Sequence, residues 1–305
     1  MVATLTVKRD RGQTLNTRIL ASTPESRYPA SSVGRTLAQA RTKLDAVTES
    51  PLLEAEVLLA HVLDSPRAML LAHSERILTA DQLTDYQALV QQRVSNYPLP
   101  YLTGRVEFYG LEFEITPEVL IPRPETETLV DLALARRPET IVDVGTGSGC
   151  IAVALAARLP QTTVCAIEIS PAALAVARRN VERHDIADRV RLIAGDVLNP
   201  RPSPADLIVS NPPYIPTGDC ASLPTSIRNH EPRQALDGGP DGLAVIRRLL
   251  AQAPAVLKPE GVLMVEIGAD QGEAASRLAH TYFPEAAIRV HPDLAGRGRV
   301  LEIQT

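Results

Sequence analysis

The sequence predicts an α/β protein: a small helical-bundle domain and a β-hairpin linker, followed by a mostly parallel, seven-stranded sheet with helices on both faces. Three observations carry this expectation. Apolar residues follow a helical period over about residues 36–94. A short stretch around Gly110 alternates apolar and polar. After Glu139, β-branched apolar runs alternate with helical stretches.

Residues 1–34 stand apart, rich in Arg, Ser and Thr, poor in acids, and interrupted by Pro24 and Pro29. A disordered extension fits this texture. A transit peptide shares the composition, whereas a secretory signal would need an apolar core and a small-residue cleavage site. Residues 35–97 form the helical domain. Leu37, Ala40, Leu44 and Val47 share one face, and Ser50-Pro51 opens a second helix carrying Leu53, Val57 and Val62. Ser65-Pro66 marks another start, and Thr79 with Gln82 forms a capping box before Leu83, Tyr86, Leu89 and Val90. Pro98-Leu99-Pro100 ends this region. Residues 98–122 are a linker in which positions 106–115 form the hairpin.

Residues 123–305 form the sheet domain, with strands expected at 140–144, 164–169, 190–193, 207–209 and 261–267. Ser170-Pro171 opens a helix running through Asn180, and residues 287–290 and 299–303 close the sheet as a terminal hairpin.

Composition narrows the function. A net charge of −5 over 305 residues argues against a partner held mainly by phosphate contacts. No apolar run approaches the roughly 20 residues that span a bilayer, so no membrane partner is expected. Cys150, Cys165 and Cys220 are too scattered for a disulfide framework or a zinc site, which fits a reducing cytoplasm. The six histidines show no ligand spacing, and no metal is expected.

Four motifs carry chemistry. Asp143-Val144-Gly145-Thr146-Gly147-Ser148-Gly149 lies where a strand turns into a helix, and its glycines let a ligand approach the backbone. Its G-x-G-x-G spacing differs from that of dinucleotide binders, and alone it can be a structural turn. Glu168, at the end of the next strand, can accept both ribose hydroxyls of a nucleoside; otherwise it is a surface strand-end acid. After the third strand, Asp196 can accept from an adenine amine while Val197 packs on the ring, although Gly195-Asp196 alone reads as a turn. After the fourth strand comes Asn211-Pro212-Pro213-Tyr214. Asn211 and the Pro212 carbonyl can accept both N–H bonds of an –NH₂ group, and Tyr214 offers an aromatic face to a planar amide or base. Such acceptors answer the poor nucleophilicity of an amide nitrogen, whose lone pair is delocalised, by positioning rather than by a strong base.

In this order, these motifs resemble the class I amino-methyltransferases, and within them the release-factor glutamine methyltransferases (the PrmC, or HemK, family). The resemblance runs from about Thr36 to the C-terminus. It includes Pro100-Tyr101-Leu102-Thr103-Gly104, Leu120-Ile121-Pro122-Arg123-Pro124-Glu125-Thr126-Glu127, Glu231-Pro232, Ala235-Leu236-Asp237-Gly238-Gly239, Asp241-Gly242-Leu243, Glu266-Ile267-Gly268 and Leu294-Ala295-Gly296-Arg297. It implies a Rossmann-like methyltransferase domain that takes S-adenosylmethionine and releases S-adenosylhomocysteine. Gly145, Thr146, Gly147, Ser148, Gly149, Glu168, Asp196, Val197 and Asn211 would hold the cofactor. Asn211, Pro212, Pro213 and Tyr214 would bind the glutamine of a Gly-Gly-Gln loop on a class I peptide-chain release factor, with Asn211, Pro212 and Tyr214 catalytic. The helical domain would help dock that protein, in the cytoplasm and without direct nucleic-acid contact. Position 197 carries an aromatic residue in some relatives, so Val197 should stack less well on adenine.

Arg123, Glu125 and Glu127 fit either the cofactor pocket or the start of a helix. Glu266 reads first as a buried structural acid, His230 as a loop histidine, and the long stretch over 215–240 as a lid or protein contact. Two other functions remain to be weighed. An adenine-N6 DNA methyltransferase shares the acceptor logic but needs a basic DNA-reading domain, and residues 1–110 hold 12 Lys and Arg against 11 Asp and Glu. A non-catalytic nucleoside-binding scaffold would tolerate a degraded motif, and both motifs are intact. The glycine spacing also disfavours an NAD-dependent dehydrogenase.

Overall fold

The computed structural model describes residue 29 and residues 31–199 and 202–305. The extension expected over 1–34 lies mostly outside them. Its last residues are not part of an extension, because Ser32 bridges Ile77 and the fully buried Val33 opens the first helix. The chain divides between Thr103 and Gly104 into two units.

In the first unit, helices α1 (Val33–Leu44), α2 (Pro51–Val62), α3 (Arg67–Ala72), α4 (Ala80–Val94) and α5 (Leu99–Thr103) enclose a core that includes Val33, Leu44, Leu58, Leu59, Tyr86 and Val90. The capping box of Thr79 and Gln82 is formed. Three expectations change. The buried face of α2 holds Ala55, Leu58 and Leu59, while Leu53 is exposed and Val57 half-buried; apolar pairs at both ends of the helix left the phase to be set by its neighbours. Neither Ser50 nor Ser65 caps a helix with its side chain, and α3 begins after Pro66. Pro98-Leu99-Pro100 does not end the unit but leads into α5, since proline is tolerated in a first helical turn. The helical unit therefore runs past the expected boundary at 97.

The second unit opens with the hairpin β1 (Arg105–Phe108) and β2 (Leu111–Glu114), whose register pairs Phe108 with Leu111. Tyr109 and Gly110 form the two-residue turn with φ of 54° and 72°, the backbone of a type I′ turn that matches strand twist. Buried Asn180 fixes the hairpin. Its Oδ1 accepts the Glu114 N–H at 2.7 Å, and its Nδ2 donates to the carbonyls of Glu114 (3.0 Å) and Ser148 (2.9 Å).

A short 3₁₀ turn at Pro124–Thr126 leads into α6 (Glu127–Arg136), β3 (Thr140–Val144), α7 (Cys150–Arg158), β4 (Thr163–Glu168), α8 (Pro171–Arg183), β5 (Val190–Ala194), β6 (Ala205–Ser210), α9 (Thr225–Arg228), α10 (Ala244–Gln252), β7 (Leu257–Glu266), α11 (Gly272–Tyr282), β8 (Ala287–Pro292) and β9 (Gly298–Gln304). The seven strands are ordered β5-β4-β3-β6-β7-β9-β8. The first five are parallel, and β9 pairs antiparallel with both β7 and β8. Strands β6 and β7 begin earlier than their apolar runs. Asp206 explains part of this, accepting from the Thr140 N–H and hydroxyl at 2.8 Å and from Lys258 at 2.9 Å.

Strand order reverses at β3, which lies between β4 and β6. Helices leaving in opposite directions open a crevice at the carboxyl ends of the strands there, where open α/β sheets bind ligands. The glycine loop follows β3, Glu168 ends β4, Asp196 follows β5, Asn211 follows β6 and Glu266 ends β7. Removing the Asn180 amide should leave backbone groups of Ser148 and Glu114 unsatisfied. Asn180→Ala is expected to lose about 2–4 kcal/mol in denaturant unfolding; unchanged stability would mean that other partners replace the amide.

Candidate active site

A cavity of about 710 Å³ occupies the crevice, within the size range of small-molecule sites. Its wall includes Gly145, Thr146, Gly147, Ser148, Glu168, Asp196, Val197 and the segment Asn211-Pro212-Pro213. At Gly145 (φ 71°) and Gly147 (φ 56°) no heavy atom lies within 4 Å of where a side chain would begin. Glycine supplies both the left-handed backbone and the open space against which a ligand can lie.

Glu168 anchors this loop. Its Oε2 accepts the Gly147 N–H and its Oε1 the Ser170 N–H, each at 2.9 Å. A carboxylate offers about four lone-pair positions, so acceptors remain for two hydroxyls. Asp143 beneath the loop is fully buried and accepts from the Thr146 hydroxyl at 2.6 Å. Burial pushes its carboxyl up to about 7. Gly149 departs from expectation: it is absent from the cavity wall and caps α7 at φ 82°, where a Cβ would sit 3.3 Å from that of Ala177.

Asp196 reaches the wall with its carboxylate paired to Arg248. Val197 beside it has φ 57°, a left-handed conformation that is strained for a β-branched residue. It is buried against the main core and reaches the cavity.

The acceptor segment is held from several sides. Nδ2 of Asn211 donates to Oγ1 of Thr126 at 3.0 Å. The hydroxyl of Tyr214 donates to Oε1 of Glu266 at 3.3 Å, and the Tyr214 carbonyl accepts from Nε2 of Gln271 at 2.8 Å. Burial pushes the Tyr214 phenol up to about 12, so it stays protonated at neutral pH. Burial also raises the Glu266 carboxyl to about 7, against the opposing hydrogen bonds of Thr126 and Tyr214 and the charge of Arg299.

A second cavity of about 150 Å³ adjoins the first and shares Leu120, Arg123, Asn211, Pro212 and Ala235 with it. Its other walls are Tyr214, Ile215, Leu223, Ile227 and Leu236. Tyr214 thus faces the smaller cavity and Pro213 the larger. The stretch over 215–240 contains α9 and returns to the acceptor segment, with Ile215 N–H donating to Leu236 O at 3.0 Å and Gly238 N–H to Ile215 O at 2.8 Å. At Gly238 any Cβ would lie 2.7 Å from the Pro213 carbonyl.

Of the three residues left open, only Arg123 lines a cavity. It pairs with buried Glu231, whose Oε2 also accepts the Ile121 N–H at 3.2 Å. Glu125 is exposed, and Glu127 accepts the Tyr109 N–H at 2.8 Å, serving the hairpin instead. His230 is on neither wall. Sequence reasoning missed Thr126, Asn180 and Gln271 as positioning groups. A hydroxyl on a proline-led turn next to two acids was the available hint for Thr126. Among the described residues, no group of His, Cys, Asp and Glu could hold a metal ion, and no helix is long and apolar enough to cross a membrane.

Two family models match the chain, the PrmC N-terminal domain over residues 35–104 and the methyltransferase small domain over residues 124–223. The release factor glutamine methyltransferase of Moorella thermoacetica is 47% identical over 256 residues, spanning 82% of this chain and 90% of that protein. That of Gloeobacter violaceus is 40% identical over 275 residues, 87% of this chain and 93% of that protein. A methyltransferase from Pyrococcus furiosus has a similar fold, with a TM-score of 0.51 at 20% identity over 72% of this chain and 98% of that one.

Two outcomes test the site. Gly147→Val combines a disfavoured φ with a blocked surface, and calorimetry should detect no nucleoside-cofactor binding; wild-type affinity would remove the loop from the site. Glu266 holds its proton to about pH 7 in the fold and to 4.5 ordinarily, so the folded state binds more protons between these values. Its contribution to stability is complete below pH 4.5 and lost as pH rises through 7. Glu266→Gln should flatten that part of the pH–stability curve, with Asp143 supplying the remaining slope.

Proposed function

The chain belongs to the release factor glutamine methyltransferase family, and we propose that it methylates the glutamine amide where its two cavities meet, at Asn211 and Pro212. It is an S-adenosylmethionine-dependent protein-glutamine methyltransferase acting on release factors. The observation that carries the site assignment is that Asn211 and Pro212 stand on both walls. A methyl donor in one cavity and an amide in the other would meet across them.

The larger cavity suits the cofactor. Gly145 and Gly147 give open backbone, Glu168 retains acceptor capacity for ribose hydroxyls, and Val197 offers an apolar surface. When bound, S-adenosylmethionine supplies an electrophilic methyl group on a positively charged sulfur. The residues of this chain do the rest. Oδ1 of Asn211 and the carbonyl of Pro212 accept the two N–H bonds of the glutamine amide, which drains its nitrogen of conjugation with the carbonyl and frees the lone pair. Tyr214 stacks on the amide plane, and its raised pKa keeps it a neutral surface rather than a base. Catalysis is then positioning and electrostatic preorganisation. The nitrogen sheds its proton after it has become acidic, so the site requires no strong base.

The substrate loop fits the Gly-Gly-Gln motif of class I release factors, because two glycines directly before the glutamine leave its backbone uncrowded and let its side chain enter a narrow slot. The helical unit, matched by the PrmC N-terminal model, would dock the rest of that protein. We place the reaction in the cytoplasm, where the three free cysteines remain reduced. The near balance of 12 basic and 11 acidic residues over 1–110 gives no support to duplex DNA as the substrate.

Labelled methyl transfer tests this directly. A purified release factor should be labelled, and its Gln→Ala variant in the Gly-Gly-Gln loop and duplex DNA should not. Label on DNA, or on neither, would overturn the assignment. Asn211→Ala should leave cofactor affinity nearly intact but lower turnover by about 10²–10³ or more, the scale for one preorganised catalytic group; wild-type turnover would remove Asn211 from the mechanism.

A further inference from the structure

Two consecutive prolines carry no N–H, so neither Pro212 nor Pro213 can be held by donating to a neighbouring strand. The direction of the Pro212 carbonyl, one of the two acceptors for the substrate amide, must therefore come from the ends of the segment. At its start, Asn211 follows β6 and bonds Thr126. At its end, the Tyr214 carbonyl accepts from Nε2 of Gln271 at 2.8 Å. Oε1 of Gln271 accepts the Gly268 N–H, also at 2.8 Å. A peptide N–H can only donate and a peptide carbonyl can only accept, so these two bonds leave the Gln271 amide a single orientation. Gln271 is buried, stands immediately before α11, and donates its own N–H to the Gly268 carbonyl at 2.9 Å. Glycines clear the space for this contact. At Gly242 (φ 71°) any Cβ would collide with both the Tyr214 carbonyl and Nε2 of Gln271. At Gly268 it would crowd Oε1 of Gln271 at 3.0 Å, and at Gly238 it would press on the Pro213 carbonyl. Three glycines from two separate stretches thus converge on the end of the acceptor segment.

We propose, building on the glutamine-amide site above, that Gln271 is a positioning residue for methyl transfer: by clamping the Tyr214 carbonyl it fixes the far end of the proline pair and so aims the Pro212 carbonyl at the acceptor nitrogen. Because proline fixes its own φ, few soft torsions separate the Tyr214 carbonyl from that of Pro212. A hold on one limits the other. The Tyr214 ring, a wall of the smaller cavity, is placed by the same hold. A displacement of about 1 Å at a reacting group is enough to lower turnover by about 10²-fold, so the clamp acts on the rate without touching the substrate.

The test rests on Gln271→Glu, which keeps the shape and can still accept the Gly268 N–H, but offers the Tyr214 carbonyl no proton while it is ionised. At pH 8 its kcat should fall by about 10- to 100-fold, below the scale for losing a catalytic group itself. The KM for the release factor and the calorimetric affinity for S-adenosylmethionine should stay within about threefold. Lowering the pH to 6 returns a proton to the introduced carboxyl, whose burial favours the neutral form. The ratio of its kcat to the wild-type value should then climb. Gln271→Met has no proton to offer at any pH, and its ratio should stay low throughout. In the wild type without any release factor, nuclear magnetic resonance should find one Gln271 side-chain amide proton protected from exchange. Wild-type kcat in Gln271→Glu at pH 8 would overturn the proposal, as would equal deficits in the Glu and Met variants at pH 6 or a loss of cofactor affinity alongside kcat. A wild type that labels no release factor but protects that proton would uphold the clamp and sink the substrate assignment instead.

Discussion

The site depends on the reversal of strand order at β3. Because β4 and β6 flank it, the helices that follow these strands depart to opposite faces, and the backbone beyond the strand ends has no neighbour to cover it. Everything chemical in the molecule occupies that uncovered edge. The glycine loop can be open only because the sheet leaves room there, and Glu168 can bond the Gly147 N–H only because parallel pairing sets the end of β4 beside the end of β3. The acceptor segment begins where β6 stops, one strand over, and the Ser210 hydroxyl donates to the Val144 carbonyl at 2.8 Å across the same pair.

That dependence explains which features were legible in the sequence. Strand β3 was visible as an apolar run because both its faces are covered, whereas β5 at the sheet edge is half-exposed and carries Arg191 within its run. The glycine spacing, Glu168 and the acceptor tetrapeptide were visible because each is demanded by local backbone geometry or by the chemistry of a small group. Thr126 was not, since its significance comes from Asn211, 85 positions away in the chain. Asn180 is a similar case: it sits in the expected helix, but its partners Glu114 and Ser148 belong to other elements. The errors have local causes as well. The phase of α2 was ambiguous because leucine pairs stand near both ends, and nothing in the sequence showed that Gly149 packs against Ala177.

Buried acids do two jobs around the site. Glu231 holds the segment carrying Ile121 and Arg123 against the loop over 215–240. Glu168 and Asp143 brace the glycine loop through backbone and hydroxyl donors. In each case a carboxyl oxygen accepts from a backbone, hydroxyl or guanidinium donor, so its neighbours turn their protons toward it and their lone pairs elsewhere. Direction, more than raw bond strength, is what these groups add to the crevice.

The left-handed backbone of Val197 carries one more consequence. A branched side chain at φ 57° stores conformational energy on the order of 1–3 kcal/mol, and glycine or asparagine would release it. The same replacement would strip an apolar surface from the cavity wall. Position 197 is thus a place where heat tolerance and the apolar lining of the cavity pull against each other, and a substitution that makes the protein hardier there does so at the expense of that wall.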